Sequence, residues 1–189
     1  ARYGWEWELL PPLVLIVALV SLSMIDIYVY RLPDRLVFPS LGLSVLVIVV
    51  AAFGIDRPAA IGRAGAGMVV YFLLLFAAHL ISPRGMGFGD VKLSLLLGLH
   101  LGWAAGSRYV GWPPIFRLVV GALLVGCILG VFGGLSVALC RKGGKNVVVD
   151  PEAEDGQPTR LLGHSFPFGP ALAAGTLVVM FFSDTVIGV

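Results

Sequence analysis

The sequence predicts an all-α membrane protein, a polytopic bundle of about six transmembrane helices, and three observations carry that prediction. Hydrophobic residues fill 58% of the 189 positions and charged ones only 13%, and a mean hydropathy of +0.97 leaves no polar exterior for a water-soluble domain. Apolar runs of about the 20 residues needed to cross a hydrocarbon core recur along the chain, separated by polar or Gly/Pro-rich turns. One glycine-rich break, Arg84-Gly85-Met86-Gly87-Phe88-Gly89-Asp90, ends on a carboxylate just where such a run begins. An ionisable group at mid-bilayer costs roughly 2.5–3.5 kcal/mol on insertion scales, which makes Asp90 a functional candidate whose partner has to be sought. The net charge of +2 gives no reason to expect nucleic acid. Cys127 and Cys140 form neither a metal-type cluster nor a close pair, and read as small membrane-helix residues.

Taken in order, Trp5 and Trp7 alternate with Glu6 and Glu8 as an interfacial aromatic anchor. The first span runs over residues 9–30, interrupted only by Ser21, Ser23 and Asp26; it is too long for a signal-peptide core and no small-residue cleavage site follows, so it is expected to be retained. Arg31-Leu32-Pro33-Asp34-Arg35 turns the chain into a short second span, 38–53, and Gly54-Ile55-Asp56-Arg57-Pro58 turns it into a third, 59–81. After the glycine break come a fourth span, 90–105, and a turn from Gly106 to Pro114. A fifth span, 115–139, carries Gly126, Gly130 and Gly134 at four-residue spacing, a stripe suited to close helix packing in lipid. Residues 141–164 are hydrophilic and of mixed charge, a surface loop, and the sixth span, 166–187, opens on Pro167 and Pro170.

Alternate crossings place Arg31, Arg35, Arg84, Lys92, Arg141, Lys142, Lys145 and Arg160 on one side, eight basic residues against five on the other. The positive-inside rule puts the eight in the cytoplasm and both termini outside. Asp26 and Asp90 then share the cytoplasmic ends of their helices. Two carboxylates close together at low dielectric tend to hold one proton between them, one acting as base towards water and the other as acid towards a carbonyl oxygen. The same pair would equally serve a proton relay in a transporter or other non-catalytic membrane protein, and two unrelated interfacial aspartates would share the same depth.

The motifs go further. Gly85-Met86-Gly87-Phe88-Gly89-Asp90-Val91-Lys92-Leu93, followed by Leu97-Gly98 and Leu101-Gly102-Trp103, resembles the second aspartate motif of the type IV prepilin peptidases, the Gly-x-Gly-Asp class of intramembrane aspartyl proteases. Ile25-Asp26 with Leu32-Pro33-Asp34 and Pro39 is similar to the family's first aspartate motif, and Ser165-Phe166-Pro167-Phe168-Gly169-Pro170 to the opening of its final helix. The resemblance implies one membrane-embedded peptidase domain over residues 1–189, cleaving leaders from prepilins or pseudopilins at the cytoplasmic face of a bacterial membrane. It carries over Asp26 and Asp90 as catalytic residues, with Gly85, Gly87, Gly89 and Lys92 as motif positions near the substrate. Backbone flexibility is the physical account of the glycines, with strain expected wherever φ must be positive. Lys92 either tunes Asp90 or reaches the headgroups.

Many members of that family also carry paired Cys-x-x-Cys motifs and methylate the new N-terminus. With two cysteines, this chain is expected to be a short, peptidase-only form that needs no cofactor and no metal. His79, His100 and His164 fit no metal spacing, and no Ser or Cys has a base at recognisable spacing.

Overall fold

A computed structural model describes residues 7–29, 34–82, 87–105, 112–140 and 168–182, and at 26–29, 34, 112–113, 136–140 and 168 it describes the helix without the side chain. The expected loop 141–164, Gly85 and His164 lie outside the described residues. A 3-10 turn, Trp7–Leu9, leads into six α-helices: α1 (Leu10–Val29), α2 (Asp34–Gly54), α3 (Ala59–Ile81), α4 (Phe88–Ala104), α5 (Trp112–Cys140) and α6 (Phe168–Phe181). No strand occurs among the described residues. Helices α1, α2, α3 and α5 are long and apolar enough to cross a membrane, whereas α4 has 17 residues and α6 has 14.

Several helices begin earlier than the spans read from the sequence, and proline chemistry explains one of them. Pro113 and Pro114 belong to the first turn of α5, where a backbone N–H has no intrahelical acceptor, so the helix starts at Trp112 instead of Ile115. Helix α2 starts at Asp34 and holds Pro39 inside it, giving up the hydrogen bond to the Arg35 carbonyl. Helix α4 starts at Phe88, which makes Asp90 its third residue and not its first.

Packing inverts the order familiar from soluble proteins. Helix α4 carries Asp90, Lys92, Ser94 and His100, yet thirteen of its seventeen residues are buried, so it forms the centre of the bundle. Lipid tails are as apolar as leucine, so nothing drives apolar side chains inward, while polar groups and close-packing glycines are driven away from lipid. The outward faces are accordingly aliphatic and aromatic, with Val17, Leu46, Phe53, Leu73, Val131 and Phe132 each more than half exposed.

Two glycine crossings hold the bundle. Between α3 and α4, a Cβ on Gly67 would come 2.8 Å from Gly102 Cα, and one on Gly102 would come 2.7 Å from Ala64 Cα, so backbone lies against backbone. Between α5 and α6, a Cβ on Gly175 would come 2.7 Å from Gly126 Cα, but one on Gly126 meets Leu172 at 3.1 Å. The glycine stripe expected on α5 therefore packs through Gly126. The tighter crossing is on α3 and α4, where the sequence signal was the small-residue series Ala60, Ala64, Gly67 facing Gly98-x-x-x-Gly102.

Candidate active site

Direction along each helix fixes which ends meet. Arg63 against Gly102 and Tyr71 against Gly98 make α3 and α4 antiparallel. His100, late in α4, lies beside the Pro11 carbonyl at the start of α1, while its Nδ1 is 2.9 Å from the Leu96 carbonyl. The Lys92 ammonium sits 5.2 Å from the Phe88 ring centroid and 5.9 Å from that of Phe38, which brings the start of α2 beside the start of α4. One end of the bundle thus collects the C-termini of α1 and α3 and the N-termini of α2 and α4.

The opposite end is latched. The Trp7 ring covers Gly54, where a Cβ would come 2.9 Å from it, and Arg57 pairs with Glu8 at 3.2 Å. The α2–α3 turn closes with Arg57 N–H donating to the Ala52 carbonyl at 2.8 Å and Asp56 N–H to Phe53 at 3.1 Å, with Asp56 left-handed at φ 54°. This is a Schellman closure with aspartate where glycine is usual.

At the first end, Asp90 is only 8% exposed. It occupies the third position of α4, and its N–H donates to the Gly87 carbonyl at 3.1 Å. The first turn of a helix favours a negative group by about 0.3–1 kcal/mol through its unsatisfied N–H groups, which eases the burial of a carboxylate there. Asp26 lies on α1, three residues before its end at Val29. Counted at 1.5 Å per residue, it is about 22 Å beyond Pro11, and Asp90 is about 15 Å before His100. The two backbone positions therefore share an end of the bundle, roughly one helical turn apart in depth. The Asp26 carboxylate lies outside the described side chains.

The motif residues around Asp90 have distinct settings. Gly87 caps α4 in extended backbone, φ −65° and ψ 139°, a conformation open to any residue, so the expected left-handed strain does not occur there. What distinguishes it is direction: a Cβ at Gly87 would stand 4.0 Å from Asp90 Oδ2. Glycine at 87 leaves that face of the carboxylate uncovered. Gly89 is the second helical residue of α4. Lys92 is held between two aromatic rings, and Phe88 also meets His79 of α3 with centroids 5.5 Å apart. Beside α1, an open apolar groove of about 450 Å³ is lined, among the described residues, by Leu19, Ser23, Met24, Pro170, Ala173 and Leu177. Among the described residues, no three His, Cys, Asp or Glu side chains gather as metal ligands.

Composition and fold define a multi-pass α-helical membrane protein with a buried carboxylate at one end of its central helix. The chain belongs to the type IV leader peptidase family, whose sequence profile matches residues 13–135. A prepilin leader peptidase/N-methyltransferase of Aeromonas hydrophila is 31% identical over 181 residues, covering 95% of this chain and 52% of the relative. A protein of the same description from Stutzerimonas stutzeri is 30% identical over 190 residues, 98% of this chain and 54% of its own length. One from Neisseria gonorrhoeae is 26% identical over 185 residues, 98% and 53%. The chain spans about half the length of these curated relatives. No solved structure matches it.

Proposed function

We propose that this chain is an intramembrane aspartyl endopeptidase that removes leader peptides from type IV prepilins or pseudopilins, with Asp26 and Asp90 as its catalytic pair. The observation that carries the reading is Asp90: buried, at the head of the most enclosed helix, beneath a glycine that leaves it approachable. Family membership supplies the substrate class, and the eight-to-five distribution of basic residues supports an active site facing the cytoplasm.

In this mechanism the pair holds one proton. The ionised carboxylate takes a proton from water as its oxygen bonds to the scissile carbonyl carbon, and the protonated partner donates to the carbonyl oxygen. Collapse of the tetrahedral species breaks the C–N bond: the leaving amine takes a proton from one carboxyl while the other carboxylate takes one from a hydroxyl on the tetrahedral carbon, so the pair again holds one proton. The protein supplies an enclosed site that raises the strength of each of these interactions. An extended substrate needs a lateral opening, and the α1–α6 groove offers one that reaches Met24.

The test is cleavage of a prepilin in proteoliposomes by Asp26→Asn and Asp90→Asn. Each keeps the side chain's shape but removes the titrating carboxyl, and each is expected to lose at least about 10²–10⁴-fold in rate while inserting normally, with non-additive effects in the double variant. Wild-type rate against pH is expected to be bell-shaped, because only the singly protonated pair works: the acid limb protonates the base, and the alkaline limb removes the acid's proton. A properly inserted Asp90→Asn protein that cleaves at wild-type rate overturns the assignment. Proton-coupled flux without peptide product would move the pair to transport.

A further inference from the structure

The bundle interior behind Asp90 holds hydroxyls that the reaction above does not use. Ser94, fully buried, stands one turn further along α4, with Oγ donating to the Val91 carbonyl at 2.7 Å. One more turn on, Gly98 packs against α3, where a Cβ at 98 would come 2.8 Å from Tyr71 Cβ. The Tyr71 hydroxyl reaches Thr176 of α6, and both residues are fully buried. The two oxygens are neighbours without completing a hydrogen bond to each other or to another described protein atom. Asp90 is near enough for its charge to act on the phenol.

A hydroxyl buried without a partner is costly, and such groups in folded proteins are nearly always bonded to protein or to ordered water. Each of these two can donate one hydrogen bond and accept others, so a water between them finds the two to four polar contacts that a buried water needs. Hydrolysis inside a membrane protein consumes one water per bond cut, in a setting where the surrounding lipid holds none. Apart from these hydroxyls, the Cys127 thiol and Asp90, the neighbouring core is apolar, with Val91, Leu97 and Met180 fully buried.

We propose that Tyr71 and Thr176 hold a water in the interior behind Asp90 and that this site keeps the aspartate hydrated during peptide hydrolysis. The proposal rests on Asp90 being catalytic. Tyr71 and Thr176 act through that aspartate as positioning residues and do not touch the substrate. Gly98 supports the same site, since a Cβ there would press on the Gly67 backbone and come 2.8 Å from Tyr71 Cβ.

Tyr71→Phe and Thr176→Val remove one hydroxyl each and keep the packed shape. In proteoliposomes each is expected to lower kcat about tenfold with KM unchanged, the double variant to fall at least as far, and Thr176→Ser to restore the rate. Melting temperature should hold in the double variant, because removing both hydroxyls leaves no orphaned polar group. A double variant with wild-type kcat shows that the hydroxyls serve only each other and overturns the proposal. A kcat loss that follows a fall in melting temperature, or that Thr176→Ser fails to rescue, overturns it as well. Asp90→Asn in the same assay separates the two levels: if it abolishes cleavage while the double variant is unaffected, only this inference fails, and if it cleaves normally the catalytic reading fails with it.

Discussion

The α3–α4 and α5–α6 pairs are both antiparallel and both cross at glycine, yet they do different things. In α3–α4 each of Gly67, Gly98 and Gly102 would drive a Cβ into backbone or into Tyr71 at 2.8 Å or less, and one member of the pair is enclosed on nearly every side. In α5–α6 Gly175 is that tight and Gly126 is not, and α5 turns Leu124, Ile128, Val131 and Phe132 outward at 54–66% exposure. The first crossing fixes the depth and rotation of the helix that carries Asp90; the second braces it from outside. Close backbone approach in lipid is a packing device in both, and its functional weight comes from what the gripped helix carries.

Substitutions at the crossings give the largest effects expected. Gly102→Val and Gly98→Val have no neighbouring side chain to move aside for them, only backbone or Tyr71 Cβ, so they should exceed the about 1–3 kcal/mol typical of overpacking and lower the melting temperature in detergent together with cleavage. Gly126→Ala, which meets Leu172 at 3.1 Å, should cost less and leave cleavage proportionate to the folded fraction. Gly62→Ala, with open space around it, should be near neutral. If Gly126→Ala and Gly102→Ala melt alike, the distinction between the two pairs does not hold.

Gly87→Val should break chemistry without touching either crossing. Its backbone suits any residue and its surroundings are open, so the melting temperature should stay, while a branched side chain over Asp90 Oδ2 should cut cleavage by about tenfold or more, with Gly87→Ala intermediate. Loss of stability in step with activity would make Gly87 a packing residue like Gly102. Both valine variants and a Gly126→Ala control belong in one assay.

The smallest effect is expected at Lys92. A cation over two rings contributes about 0.5–2 kcal/mol depending on how far it is desolvated, so Lys92→Met should lower the melting temperature slightly and change kcat by no more than a few fold. A kcat loss comparable to that of Asp90→Asn would show that Lys92 tunes the aspartate and does not merely seat the end of α4 among Phe38 and Phe88.

Much of this was readable in one dimension, because a bilayer imposes length and polarity on each segment separately. The all-helical class, the six helices and Asp90 near the head of a helix follow from apolar run lengths and turn residues that no tertiary contact can override. The turn expected to run to Pro114 ends earlier, because Pro113 and Pro114 fit the first turn of α5, where their missing N–H groups cost nothing. Other features depend on which faces meet. Gly67, Gly98 and Gly102 are no more conspicuous in the chain than Gly126, Gly130 and Gly134, and only the packing of α3 on α4 tells them apart. Gly87 reads as a flexible hinge until its backbone is seen to be ordinary and its missing Cβ to point at Asp90. Tyr71 and Thr176 are separated by more than a hundred residues and are unremarkable singly, since a hydroxyl in a membrane helix acquires meaning only from the group that three-dimensional packing sets against it.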